Sequence, residues 1–100
     1  MNARNLKKIE TQLQEMKKSP FNRKVEDLIS IAKQLGRSLD NRGKEPTYTR
    51  DRDPALSPPL SIPNHSGDLR PRTARSIIGA LLNDVDDWKL FLMEVNDEDN

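Results

Sequence analysis

Few side chains in this chain of 100 residues have chemistry to offer. There is one histidine, His65, and no cysteine, so neither a thiolate nucleophile nor a thiolate zinc site is available. His65 stands in Asn64-His65-Ser66-Gly67-Asp68, a run of turn residues. The ordinary role of a lone turn histidine is structural, with its ring hydrogen-bonded to backbone. The alternative is proton transfer, for which an unperturbed imidazole is suited near neutral pH. One histidine without organised acidic neighbours supplies too few ligands for a metal ion, so no metal is expected. The other reagent is arginine: Arg72 and Arg75 follow the same turn and could hold phosphates. Gly43 and Gly67 do not make a phosphate loop, because the further glycines and the lysine spacing of such loops are absent.

The elements around these residues follow from periodicity. Leu60 and Ile62 flank Ser61 with the alternation of a half-buried strand, which Pro63 stops. Pro71 suits a first helical position, and Ala74, Ile77, Ile78, Leu81 and Leu82 then form an apolar face. Arg72 and Arg75 fall outside that set and should meet solvent. Upstream, Leu6, Ile9, Leu13 and Met16 predict an amphipathic helix over residues 3–18, broken by Ser19-Pro20-Phe21-Asn22. Its mixed acids and bases favour packing on the domain over a membrane-surface role. A second helix carries Val25, Leu28, Ile29, Ala32 and Leu35, with acids in its first turn and Gly36 as its stop.

From Arg37 to Pro59 the helical period vanishes. A weak strand over Arg37–Asp40, a turn at Asn41-Arg42-Gly43 and a strand over Thr47–Arg50 are expected. Asp51–Pro59, with three prolines, reads as a loop. Asn83 or Asp84 could cap a last helix whose buried side is Val85, Trp88, Phe91, Leu92 and Val95, with Asp97–Asn100 frayed. The order is α-α-β-β-β-α-α. It predicts an α+β fold, a three-stranded antiparallel sheet packed on two helices with added N-terminal and C-terminal helices. Ile29, Leu35, Leu39, Ile62, Ile77, Leu81 and Trp88 should share its core.

Charge is unevenly spread. Residues 1–83 hold 16 Lys/Arg against 9 Asp/Glu, a balance of +7, whereas residues 84–100 hold one lysine and 7 acids, a balance of −6. A basic body with an acidic tail suits a polyanion; the plainer reading is a solvated basic face beside an acidic helix. No long apolar run and no basic-then-apolar leader is present, so a cytoplasmic protein with no membrane partner is expected.

Three segments resemble HicA-type toxins of bacterial toxin–antitoxin pairs, which have a double-stranded-RNA-binding-like fold. Phe21-Asn22-Arg23-Lys24-Val25-Glu26-Asp27-Leu28, ending in Leu35-Gly36, is similar to that family's first core helix and its glycine stop. Arg42-Gly43 stands at its glycine turn. Ile62-Pro63-Asn64-His65-Ser66-Gly67 through Arg70-Pro71-Arg72-Thr73-Ala74-Arg75-Ser76-Ile77 resembles its third strand, turn and closing helix, and is the most specific of the three. The division implied is an N-terminal helical extension over 1–20, a HicA-like RNA-binding domain over 21–96 and a frayed acidic tail over 97–100.

The resemblance implies an endoribonuclease that cuts mRNA without a cofactor, and a cognate HicB-like antitoxin covering its basic surface, in a higher-order complex. Arg42, Lys44, Arg50, Arg72 and Arg75 would hold phosphates and Tyr48 would contact the nucleotide; without the resemblance these are a solvated face with Tyr48 half in the core. The family's second strand opens with Gly-Ser-His, and its histidine is the residue tied to cleavage. This chain has Gly43-Lys44-Glu45-Pro46 there, with Glu45 in the histidine's place. Glu45 or His65 would then move protons, Glu45 only if burial or a like charge raises its pKa against the pull of Lys44. The competing reading is a non-catalytic RNA-binding or protein-interaction module that kept the fold and lost the histidine.

Overall fold

Helix formation begins at Asn2, whose side chain accepts from the Asn5 backbone N–H at 2.8 Å and caps the first turn. The structure is a computed structural model that describes residues 1–40, 43, 46–63 and 67–98. Helix α1 spans Ala3–Lys18 and buries Leu6, Ile9, Leu13 and Met16, the stripe set by its sequence spacing. Helix α2 spans Val25–Gln34. It ends in a left-handed glycine: Gly36 has φ +99°, Gly36 N–H donates to the Lys33 carbonyl and Arg37 N–H to the Ala32 carbonyl. Those two bonds satisfy carbonyls that the last turn leaves open.

Three antiparallel strands follow in spatial order β1-β2-β3: Ser38–Asp40, Thr47–Arg50 and Leu56–Ser61. The third begins well before the expected Leu60 and contains Pro58 and Pro59. A proline cannot donate to a ladder, but β3 is an edge, and the register slips between Tyr48 and Arg50 to absorb the irregularity. Leu39 pairs with Tyr48 and so shares its face of the sheet. On the short edge strand β1 it is nevertheless 47% exposed, which removes it from the expected core.

The chain closes with α3, one continuous helix from Pro71 to Glu98. The separate last helix expected from a cap at Asn83 or Asp84 is not formed, and the helix runs on through Asp97 and Glu98. Asp84 is buried within the helix rather than capping it. The apolar stripes on either side of it therefore merge: Ala74, Ile77, Ile78, Leu81, Val85 and Trp88 all face inward. They pack with the α1 and α2 stripes and with Tyr48, Leu56 and Ile62 in one core. Among the described residues the fold is α+β, an open three-stranded sheet with three helices. No helix among the described residues is long and apolar enough to cross a membrane.

Candidate nucleic-acid interface

The alternation of β2 decides which of its side chains are available. Tyr48 and Arg50 lie two residues apart and so point to the same, helix-facing side. Tyr48 is only 5% exposed, and its ring is part of the core rather than a platform for a base. The Arg50 guanidinium lies 4.8 Å from the centroid of the Trp88 ring and donates to the carbonyls of Gly36 at 3.5 Å and Asp53 at 3.1 Å. Trp88 in turn donates from Nε1 to the Leu35 carbonyl at 2.7 Å. A Cβ at Gly36 would run into the guanidinium. Arg50 is thus a clamp between the end of α2, the loop after β2 and α3, with its charge already engaged.

A second arginine, which the sequence reading passed over, is held deeper. Arg37 donates from Nη1 to the carbonyls of Tyr48 at 2.6 Å and Pro58 at 3.2 Å, so it bridges β2 and β3. Its Nε and Nη2 grip Asp84 of α3. Burial pushes the Asp84 carboxyl above its ordinary pKa, and the bonds and charge of Arg37 offset this only in part. One signal was present in the sequence. Asp84 falls on the apolar stripe of a continuous helix, between Leu81 and Trp88, where an acid needs a partner.

Arg72 and Arg75 are exposed, as their position opposite the apolar stripe requires, and Arg70 is exposed beside them. Arg72, Thr73 and Ser76 of α3 line a groove of about 460 Å³ with Leu60 and Ser61 of β3. Charge along α3 is placed against its dipole. The first turn has no acid and the last no base, although each would be favoured by about 0.3–1 kcal/mol. The arginines instead reinforce the positive end of the helix, which attracts anions.

Sheet register brings the hairpin end close to this groove. Thr47 pairs with Asp40 on one side and with Ser61 on the other. The chain therefore leaves β1, enters β2 and leaves β3 at the same end of the sheet, next to the Arg72 groove. Arg42, Lys44, Glu45 and His65 lie outside the described residues, in the two segments that start from that end. Among the described residues no group of three or more His, Asp or Glu could hold a metal ion. Comparisons with protein-family models, with curated proteins and with solved structures return no match.

Proposed function

We propose that this chain binds RNA through the N-terminal half of α3, with Arg72 and Arg75 on phosphates and the hydroxyls of Ser61, Thr73 and Ser76 along the groove. The observation that carries the reading is the position of those two arginines. They are exposed, set at the positive end of a 28-residue helix and adjacent to the sheet end where the β1–β2 hairpin turns. Tyr48 and Arg50 have no part in it, since their side chains complete the fold.

The more specific reading is an mRNA-cleaving toxin of the HicA type, acting in the cytoplasm and held in check by an antitoxin that covers the arginine surface. It is supported by the quoted residue likeness, by the order α-β-β-β-α from α2 to α3, and by the register at Thr47. That pairing starts the segments carrying Glu45 and His65 from neighbouring points. Purified protein is tested on a defined RNA, alongside growth of cells on induction. Glu45→Gln keeps the shape and removes a proton acceptor, so cleavage falls by about 10²–10⁴ while affinity holds or rises if Glu45 is the base. Loss confined to His65→Ala moves the role to the turn. Retained RNA affinity with neither cleavage nor growth arrest leaves the non-catalytic binding module. Absence of RNA binding by the parent protein overturns both readings.

A further inference from the structure

Phe21 and the C-terminal half of α3 form two unlike surfaces, and each supplies what the other lacks. Phe21 is 62% exposed, yet the chain on both sides of it is fixed. Pro20 is fully buried, Arg23 Nε donates to the Ser19 carbonyl at 2.9 Å, and the Arg23 carbonyl accepts from Leu69 N–H at 2.8 Å. Asn22 takes the left-handed conformation at φ +60°, which asparagine tolerates better than most residues, and closes the turn. The ring is therefore held out as a preorganised knob. Residues 17–27 around it carry Lys17, Lys18, Arg23 and Lys24 against Glu26 and Asp27, a net positive surround.

The opposite surface is a groove of about 480 Å³ between the loop after β2 and α3, with Pro54, Leu90 and Phe91 in its lining and Asp53, Asp87 and Glu94 at its polar positions. No base lines it. Leu90 of that lining is 61% exposed. One molecule cannot bring the two surfaces together. Leu69 ties the Phe21 turn to the start of α3, and the 19 residues from Pro71 to Leu90 span about 28 Å of helix.

We propose that the protein associates with a second copy of itself head to tail, the Phe21 turn of one copy seating in the acidic groove of the next with its lysines against Asp87 and Glu94. A lone exposed phenylalanine is common on protein surfaces. What selects a second copy is the match of an aromatic knob in a basic surround to a mainly polar, acidic groove that offers Pro54, Leu90 and Phe91 as its apolar part. Such a contact is heterologous: each copy keeps one unused knob and one unused groove, so association continues into a ring or an open chain. Complementary charge sets its register and makes it salt-sensitive.

The absence of cysteine from the chain permits a direct test. Ser19→Cys and Ala55→Cys proteins, which keep Phe21 and Leu90 and are each checked for native circular dichroism, are mixed in equal amounts under mild oxidation. The expected product is the mixed disulfide, in excess of either homodimer by about tenfold, a difference of about 1.4 kcal/mol in encounter preference. Sedimentation of the parent protein should show a concentration-dependent mass that falls with added salt. The variant D87K/E94K should weaken association by about tenfold, and K17E/K18E mixed with it should restore it. A parent protein that stays monomeric at all concentrations overturns the proposal. So does a Ser19→Cys homodimer forming as readily as the mixed product, since that marks a symmetric contact or random collision.

Discussion

Arg37 and Asp84, 47 residues apart in sequence, form a bidentate ion pair inside the protein, Nε to Oδ2 at 2.5 Å and Nη2 to Oδ1 at 2.8 Å, with both side chains 1% exposed. Through the same guanidinium α3 is tied to β2 and β3, so one residue fixes where the helix lies on the sheet. Arginine suits the task because its planar fork serves the carboxylate and two carbonyls at once.

Removing one partner should therefore be far worse than removing both. Arg37→Met leaves a buried carboxylate without a counter-charge and should cost about 3–5 kcal/mol in urea unfolding. Arg37→Met combined with Asp84→Leu should recover much of that loss. Equal destabilisation of the single and double variants would show that the pair is not the source of the cost.

The pH dependence has a definite sign. The folded pKa of Asp84 lies above its ordinary value of 3.8, because burial outweighs Arg37. The folded state then holds this proton more tightly than the unfolded chain does. Its contribution to stability is complete below 3.8 and is lost as pH rises through the raised folded value. In Arg37→Met the loss should be larger and extend to higher pH, because nothing opposes the desolvation. Urea midpoints across acidic pH check this. A variant whose deficit relative to the parent is the same at every pH contradicts it.

Arg50 and Arg72 should separate cleanly. Arg50→Met breaks the contact with Trp88 and frees the carbonyls of Gly36 and Asp53. It should lower stability by about 1–2 kcal/mol while leaving RNA affinity nearly unchanged. Arg72→Ala should do the reverse, with stability within about 0.5 kcal/mol of the parent. Parallel thermal melts and RNA titrations decide it, and a loss of affinity confined to Arg50→Met would put the interface on the sheet.

The continuity of α3 makes its own prediction. Asn83 is exposed, so a proline there loses no packing. In the interior of one helix it should cost about 3 kcal/mol or more. A cap between two helices would accept it with little loss, and a small effect on the thermal midpoint would contradict the continuous helix.

That junction also shows what the sequence could and could not reveal. Asn-Asp followed by two more acids has the composition of a helix start. The same acid at an apolar-stripe position is what an internal ion pair requires, and only the distant Arg37 distinguishes the two. The helical stripes of α1 and α2 and the strand β2 were readable because period and residue preference are local, whereas β1 carried only a weak strand signal. The early start of β3 was not, since Pro58 and Pro59 argue against a strand except at an edge with a slipped register, which is a property of the assembled sheet. Leu39 and Tyr48 show the same limit. They face the same way, and the position of β1 at the edge, not hydrophobicity, decides which is covered. At the candidate interface, helical spacing alone placed Arg72 and Arg75 in solvent. The engagement of Arg50 by Trp88, 38 positions further on, lay beyond any local rule.

The most direct test of the central claim is the salt dependence of RNA affinity for the parent protein and for the variant R72A/R75A. If both arginines neutralise phosphates, the plot of log affinity against log salt should be shallower for the variant by about 1.4–1.8 in slope, with weaker binding at low salt and the gap closing as salt rises. Identical affinity and identical slope for the two proteins would contradict the account and leave the N-terminal half of α3 as a solvated basic face.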